Sequence, residues 1–245
     1  MSKRRLRIIP IVFFCVFTLL FLAISFAFIR ISRDVPSSQG IFTESPTLPT
    51  VIIDAGHGGE DGGAVGVNGC LEKDINLSIA KELKSSLESL GVECVLTRED
   101  DRLLYDRNVN YEGRKKRLDM LERLRIATSY ENAVFISIHQ NSFSQEKYSG
   151  LQIYYSEVNE GSRLLADTVS TAVKRTLQAD NDRGSKPSDG NIYLLDRLSC
   201  PAVLIECGFL SNHAECDLLC TKEYQVALCE TMAKAIFSFL SGPYA

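Results

Sequence analysis

A surplus of basic residues is lacking after the first 33 positions, and that lack argues against a class of function. Lys3, Arg4, Arg5, Arg7, Arg30 and Arg33 stand in a stretch without acids, so an overall net charge of −4 leaves −10 on residues 34–245. A region of that net charge is a poor general nucleic-acid binder, because phosphate backbones require a surplus of clustered Lys and Arg. Long hydrophobic runs are equally few. There is one, and with a mean hydropathy of −0.01 this rules out a polytopic membrane protein. No internal repeat and no low-complexity tract is present, so solenoids and arrays are excluded. No C-x-x-C pair and no H-E-x-x-H signature occurs, and the glycine-rich stretch lacks the Lys and Ser/Thr of a P-loop. Histidine is limited to three positions, so each one carries weight.

The single apolar run is Ile8–Ile29, twenty-two residues without a charge. As a helix rising ~1.5 Å per residue it is long enough for a ~30 Å hydrocarbon core. Its N-terminal flank, SKRRLR, is more basic than the IRISR that follows, which places the N-terminus inside and the rest outside. Residues 1–33 therefore read as a signal-anchor or as a signal peptide cleaved near Ala23-Ile24-Ser25. Either way the remainder is expected to be exported, membrane-anchored or secreted. Residues 34–50 contain three prolines and no apolar period, and read as a linker. The working domain is expected over 51–243, with no room for a separate C-terminal binding module.

Apolar runs and helical periods alternate through that domain. Strands are expected at Thr50–Asp54, Val92–Thr97, Ala133–His139, Leu151–Tyr155, Asn191–Leu195 and Ala202–Glu206. Helices are expected at Asp74–Leu90, Gly113–Ser129, Ser162–Leu177 and Lys222–Leu240, with a loop at Asn181–Gly190. The alternation predicts a single α/β domain with a mixed, mostly parallel sheet and helices on both faces. Of eight cysteines, Cys15 lies in the apolar run and seven lie outside it. An odd number without a spacing framework argues for small core residues over disulfide staples. Cys216 and Cys220 stand four apart on an expected helix.

In open α/β sheets, ligands gather at the carboxyl ends of strands. His57, in DAGHGGEDGGAVG, follows the first strand, and His139, in FISIHQNSF, ends the third. Glu206 closes the run PAVLIE. Glu72 stands before the first helix, where an acid also suits the helix dipole. His213 lies in a polar turn and reads as an exposed residue at a helix start. Two histidines and a carboxylate are the ligand set of a catalytic zinc, which keeps a fourth position open. A further carboxylate off the metal is what a zinc hydrolase needs as general base, because zinc lowers the pKa of water toward ~7.

The stretches VIIDAGHGGEDGGAVG, LEKDINL, FISIHQNS and IECGFLSN, in that order, are similar to the zinc-dependent N-acetylmuramoyl-L-alanine amidases of bacterial cell walls. The resemblance runs from about residue 51 to 240. It implies one Zn²⁺ held by His57, Glu72 and His139, with Glu206 as the catalytic carboxylate. The family usually has Pro where this chain has Ala55, a change in loop stiffness and not in chemistry. The basic segment GRKKRLDMLERLRIA and the N-terminal apolar run most resemble the germination-specific branch, which acts on spore cortex in preparing muramic-δ-lactam. The implied activity is hydrolysis of the amide between N-acetylmuramic acid and L-alanine in peptidoglycan. Arg123 matches a recurrent family arginine, though on the sequence alone it reads equally as a salt-bridging helix-surface residue. Asn141, Ser142 and Asn191 are candidate substrate contacts. An activator protein is a further expected partner, since wall hydrolases need restraint. Two other readings stay open: another exported zinc peptidase such as a cell-wall carboxypeptidase, and a non-catalytic wall-binding protein.

Overall fold

A computed structural model describes residues 18, 20–22, 25, 48–106, 108 and 113–242. The chain divides into two units, 1–47 and 48–245. In the first, the described residues are helical, and most of the Ile8–Ile29 run and all of 34–47 lie outside them. Among the described residues no helix is long and apolar enough to cross a membrane.

The second unit is built on a six-stranded sheet. Its elements in chain order are β1 (Thr50–Ala55), α1 (Glu72–Glu88), β2 (Cys94–Leu96), α2 (Lys115–Thr128), β3 (Ala133–Asn141), β4 (Gln152–Tyr155), α3 (Gly161–Thr176), β5 (Lys186–Pro187), β6 (Ala202–Phe209), α4 (His213–Leu219) and α5 (Lys222–Leu240). The strand order is β2-β1-β3-β6-β4-β5. β1, β2, β3 and β6 run parallel, and β4 pairs antiparallel to β6. The expected mixed, mostly parallel sheet is therefore present.

Alternation along the strands sorts the side chains onto two faces. Val51, Ile53, Val134, Ile136, Ile138, Val203 and Ile205 enter the larger core beneath α1, α3 and α5. Ile75, Ile79, Leu83 and Leu87 supply the α1 stripe of that core, as their spacing predicts. Leu90, the last residue of the expected helix, lies beyond the observed one and is exposed. The opposite face carries Ile52, Phe135 and Ala202, covered by Ala127 of α2 and by Leu194, Leu195 and Leu198. Helices thus flank both faces.

Two local expectations are corrected. Asn191–Leu195 forms no strand. Its second half opens a run of turns over 193–197, closed by Asp196 N–H to Ile192 O and Leu198 N–H to Leu194 O. Its apolar residues seal the second face from above, and an apolar run of that length cannot by itself distinguish a strand from a packed turn. The edge strand β5 instead falls at Lys186–Pro187, inside the expected loop. On α2 the buried positions are Asp119, Arg123 and Ala127, whereas Leu121 is exposed. That helix turns Asp119 and Arg123 toward the domain beside Ala127, with Met120 and Leu124 partly buried against the second core.

Candidate active site

The site forms where β1, β3 and β6 end. Asp54, Ser137 and His139 alternate with the residues of the larger core, so they project on the α2 side. His139 and Glu206 are register partners across β3 and β6, which sets their side chains side by side on one face. The register shifts immediately after His139. Such a bulge re-aims side chains at a strand end.

The first βα connection curls back over the start of α1. Glu72 N–H donates to Ala64 O at 3.0 Å and Lys73 N–H to Gly62 O at 3.2 Å, so the loop satisfies the helix's first free donors. Glu72, the first residue of α1, is thereby fixed facing the loop. Its Oε2 lies 3.2 Å from His57 Nε2 and its Oε1 3.0 Å from His139 Nδ1. Ala64 N–H, Gln140 N–H and the Asn76 amide also donate to this carboxylate, at 2.8, 3.1 and 3.3 Å. The two imidazoles meet edge to face with centroids 5.0 Å apart. One donor atom each from His57, Glu72 and His139 lies within 4.8 Å of the other two. The structure thus brings together the three residues that the resemblance singles out as ligands.

The other nitrogen of His57, Nδ1, faces Asp61 Oδ2 at 3.0 Å. A carboxylate behind a ligating imidazole fixes its tautomer and raises its basicity. Two glycines permit the close approach of loop and ligands. A Cβ on Gly56 would stand 2.2 Å from His139 Nε2, and one on Gly63 would stand 2.5 Å from Glu72 Oε2.

The charges of the site favour a cation. Burial works to raise the Glu72 carboxyl, but hydrogen bonds and charge from His139 and His57 outweigh it and hold it well below the usual carboxylate range. Burial works to lower His57, but Glu72 and Asp61 overcome it and raise the imidazole. A field that favours a proton on His57 also favours a metal ion facing Glu72. Glu206 behaves in the opposite way. Burial pushes its carboxyl up to about 7, against the attraction of His139. Its Oε2 is buried without a hydrogen-bond partner.

Arg123 is fully buried. It donates to Asp54 Oδ1 at 2.5 Å, Asp119 Oδ2 at 2.8 Å, and the carbonyls of Ala55 and His57, both at 2.7 Å. It is neither a surface salt bridge nor a free cation, because its donors grip the backbone behind His57. Asn191 is exposed and, with His57, His139, Arg123 and Tyr193, lines a cleft of about 320 Å³. Asn141 and Ser142 follow His139 at the exit of β3, half-buried and exposed respectively. His213 begins α4 and is exposed, 4.0 Å from Glu146.

The sequence reading passed over Asp54, Asp61, Asn76, Arg98, Asp119 and Gln140. Arg98 is as buried as Arg123 and donates to the carbonyls of Ala55 at 2.9 Å and Gly56 at 3.0 Å. Only Asp54 offered a signal, as an acid ending an apolar strand run.

A family profile described as N-acetylmuramoyl-L-alanine amidase matches residues 51–238. The germination-specific N-acetylmuramoyl-L-alanine amidase of Bacillus subtilis (strain 168) is 34% identical over 191 residues, covering 78% of this chain and 79% of that protein. Among solved structures, the CwlD amidase of Clostridioides difficile, in complex with the GerS lipoprotein, is 40% identical. It superposes with a TM-score of 0.74 over 79% of this chain and 98% of that one. The amidase AmiC2 of Nostoc punctiforme superposes at 0.66 with 32% identity, over 79% of this chain and 98% of that one. With a His/Glu/His donor set gathered from two strand ends and the start of α1, and a profile match over residues 51–238, this chain belongs to the N-acetylmuramoyl-L-alanine amidase family.

Proposed function

We propose that the enzyme is an exported zinc amidase that cleaves the bond between the lactyl group of N-acetylmuramic acid and L-alanine, with spore cortex as its peptidoglycan. One juxtaposition carries this reading. Donors from His57, Glu72 and His139 converge within 4.8 Å, and beside His139 on the neighbouring strand Glu206 has a buried, unpartnered Oε2. Two imidazole nitrogens and a carboxylate suit Zn²⁺ and leave a position open for substrate or water. When bound, the ion supplies Lewis acidity: it polarises the scissile carbonyl and lowers the pKa of water.

The protein's own groups supply the rest. Asp61 holds His57 so that Nε2 faces Glu72. Glu206 takes a proton from the attacking water and delivers it to the leaving nitrogen of L-alanine. A carboxyl near 7 is matched to both transfers at neutral pH. Arg123 positions His57 from behind. Asn191, Asn141 and Ser142 border the site where glycan or stem peptide would lie.

A carboxypeptidase needs a cation to receive a terminal carboxylate. Among the described residues lining the cleft the cations are Lys116 and Arg123, and both already hold carboxylates. Export and attachment rest on the uncharged run Ile8–Ile29 and its basic flank. A lipoprotein partner is the expectation that follows from the CwlD–GerS complex.

The test is to incubate detergent-solubilised full chain, loaded with Zn²⁺, with cortex and with vegetative peptidoglycan, and to analyse products by mass spectrometry. Free stems beginning with L-alanine, and peptide-free muramic acid, are expected from the unaltered chain and not from Glu206→Gln. Shortened stems still attached to glycan would sink the amidase reading. Equal cleavage of both walls would remove the cortex preference.

A further inference from the structure

Three cysteines distant in sequence converge beside the loop that carries Glu72. Cys70 sits two residues before that glutamate. Cys216 lies on α4 and Cys220 caps its C-terminus, one helical turn apart on the same side. Cys70 Sγ and Cys216 Sγ stand 3.6 Å apart, and all three sulfurs lie within 4.8 Å of one another. The surrounding backbone is folded closely over them. Gly66 passes so near that a Cβ there would stand 2.5 Å from Cys70 Sγ and 2.7 Å from Cys216 Sγ. Asn68 bridges loop and helix, accepting from Cys70 N–H at 3.0 Å and donating to Asp217 at 3.1 Å and to Cys220 Sγ at 3.6 Å.

We propose that Cys70, Cys216 and Cys220 form a second metal site, separate from the His57/Glu72/His139 set, that binds one thiophilic cation of the zinc type through three thiolates. The magnitudes favour a metal over a disulfide. Tetrahedral zinc with Zn–S bonds of ~2.3 Å places its sulfurs about 3.8 Å apart. The Cys70–Cys216 separation of 3.6 Å is already close to that edge. A disulfide would require the sulfurs to close to about 2.05 Å, and it would leave the third thiol without a role. Metal binding uses all three, and each thiol releases its proton to solvent as its metal–sulfur bond forms. Cys216 is buried, Cys70 half-buried and Cys220 exposed. The fourth ligand therefore comes from the solvent side, and the ion is exchangeable. A metal here would staple the Glu72 loop to α4 without entering the catalytic cleft.

The test uses the reduced full chain in detergent under anaerobic conditions, with Co²⁺ as probe. Thiolate-to-cobalt charge transfer reports the sulfur site, and elemental analysis gives the stoichiometry. Two ions per chain and a strong charge-transfer band are expected. Cys216→Ser and Cys220→Ser should each abolish the band and weaken one equivalent at least tenfold, while the other equivalent and the amidase activity persist. His57→Ala should keep the band and lose the other ion. Circular dichroism and the retained equivalent report folding, and the exposed Cys220 position decides if Cys216→Ser does not fold. A reduced chain without the band, or a band that survives both serine variants, overturns the proposal. So does a Cys70–Cys216 cross-link in peptide mapping of the oxidised chain combined with no second equivalent after reduction.

Discussion

Replacing Gly56 with alanine adds one methyl group and tests the architecture of the site directly. The new Cβ would stand 2.2 Å from His139 Nε2 and 2.3 Å from its Cε1. Van der Waals contact needs about 3.5 Å, so ring and loop must separate by roughly 1.3 Å. The φ of Gly56 lies outside the left-handed region, so the cost is contact and not backbone strain. Little can yield on the loop side. Gly56 O accepts from Arg98 at 3.0 Å and Asn76 at 3.2 Å, and Gly56 N–H donates to Ile138 O at 3.1 Å. The imidazole must move, and its 3.0 Å approach to Glu72 is lost. Overpacking of this kind costs about 1–3 kcal/mol, which a domain of this size survives. Metal–ligand distances tolerate only about ±0.2 Å, so affinity at the His/Glu/His set should collapse. A misplacement of about 1 Å in a catalytic array costs on the order of 100-fold in rate. Gly56→Ala should therefore fold, lose its catalytic metal and fall at least ~100-fold in amide cleavage. Full metal content and full activity in the folded variant would refute the close-approach reasoning.

Glu206→Gln should keep metal at the His/Glu/His set yet lower kcat by about 10²–10⁴, the range for removing a general acid–base. Product release measured beside metal content checks both. Asp61→Asn should weaken metal binding about 10–100-fold by releasing His57 Nδ1, read by competition with a chromophoric chelator. Arg123→Met leaves Asp54 and Asp119 buried without their cation and should cost about 3–5 kcal/mol in urea unfolding; a loss below about 1 kcal/mol would contradict the buried-cluster assignment. For the chelator-treated protein the pH dependence has two signs. Asp54 is held below its ordinary value because Arg123, Ser137 and Thr97 overcome the cost of burial, so its contribution is present above about pH 4 and is lost as pH falls through its folded value. Glu206 is raised from 4.5 to about 7, so stability declines as pH rises through that window, and Glu206→Gln should flatten the decline in melting temperature.

The fold was legible where periodicity and burial agree. β1, β3 and β6 are continuous apolar runs because helices cover both of their faces, and the α1 stripe is a helical period on one core. It was less legible at α2, where the buried side chains include the charged pair Asp119 and Arg123. A buried ion pair has no hydrophobic period, and its partner Asp54 lies 69 positions away from Arg123. The turns after Asn191 were misread for a related reason: their apolar residues pack onto a sheet face, and nothing in a short apolar run says whether its backbone pairs or coils. Of the candidate site, strand ends located His57, His139 and Glu206, and the resemblance gave their roles. Asp61 acts through the loop's return path, and Asn76 on α1 and Gln140 on β3 meet at Glu72 only once helix and strand are packed, which a linear reading cannot see.

That return path explains how a site of this kind is held. His57 adopts φ 60°, a left-handed backbone that costs a non-glycine residue about 1–2 kcal/mol. The three consecutive carbonyls of Ala55, Gly56 and His57 all turn inward, where Arg98, Arg123 and Asn76 donate to them. A hydrogen bond from a charged donor contributes about 1.5–3 kcal/mol, so any one of the guanidinium contacts offsets the strain at His57. With its carbonyls fixed from behind, the loop presents His57 Nε2 toward Glu72 from the front. The Arg123 guanidinium is in turn held by two carboxylates, Asp54 at the end of β1 and Asp119 one turn earlier on its own helix, α2. Ligand geometry here is set by buried charges that need not touch the metal. Conservative changes at Arg98 or Arg123 should therefore reach the metal through the carbonyls of residues 55 to 57, even though neither side chain belongs to the donor set.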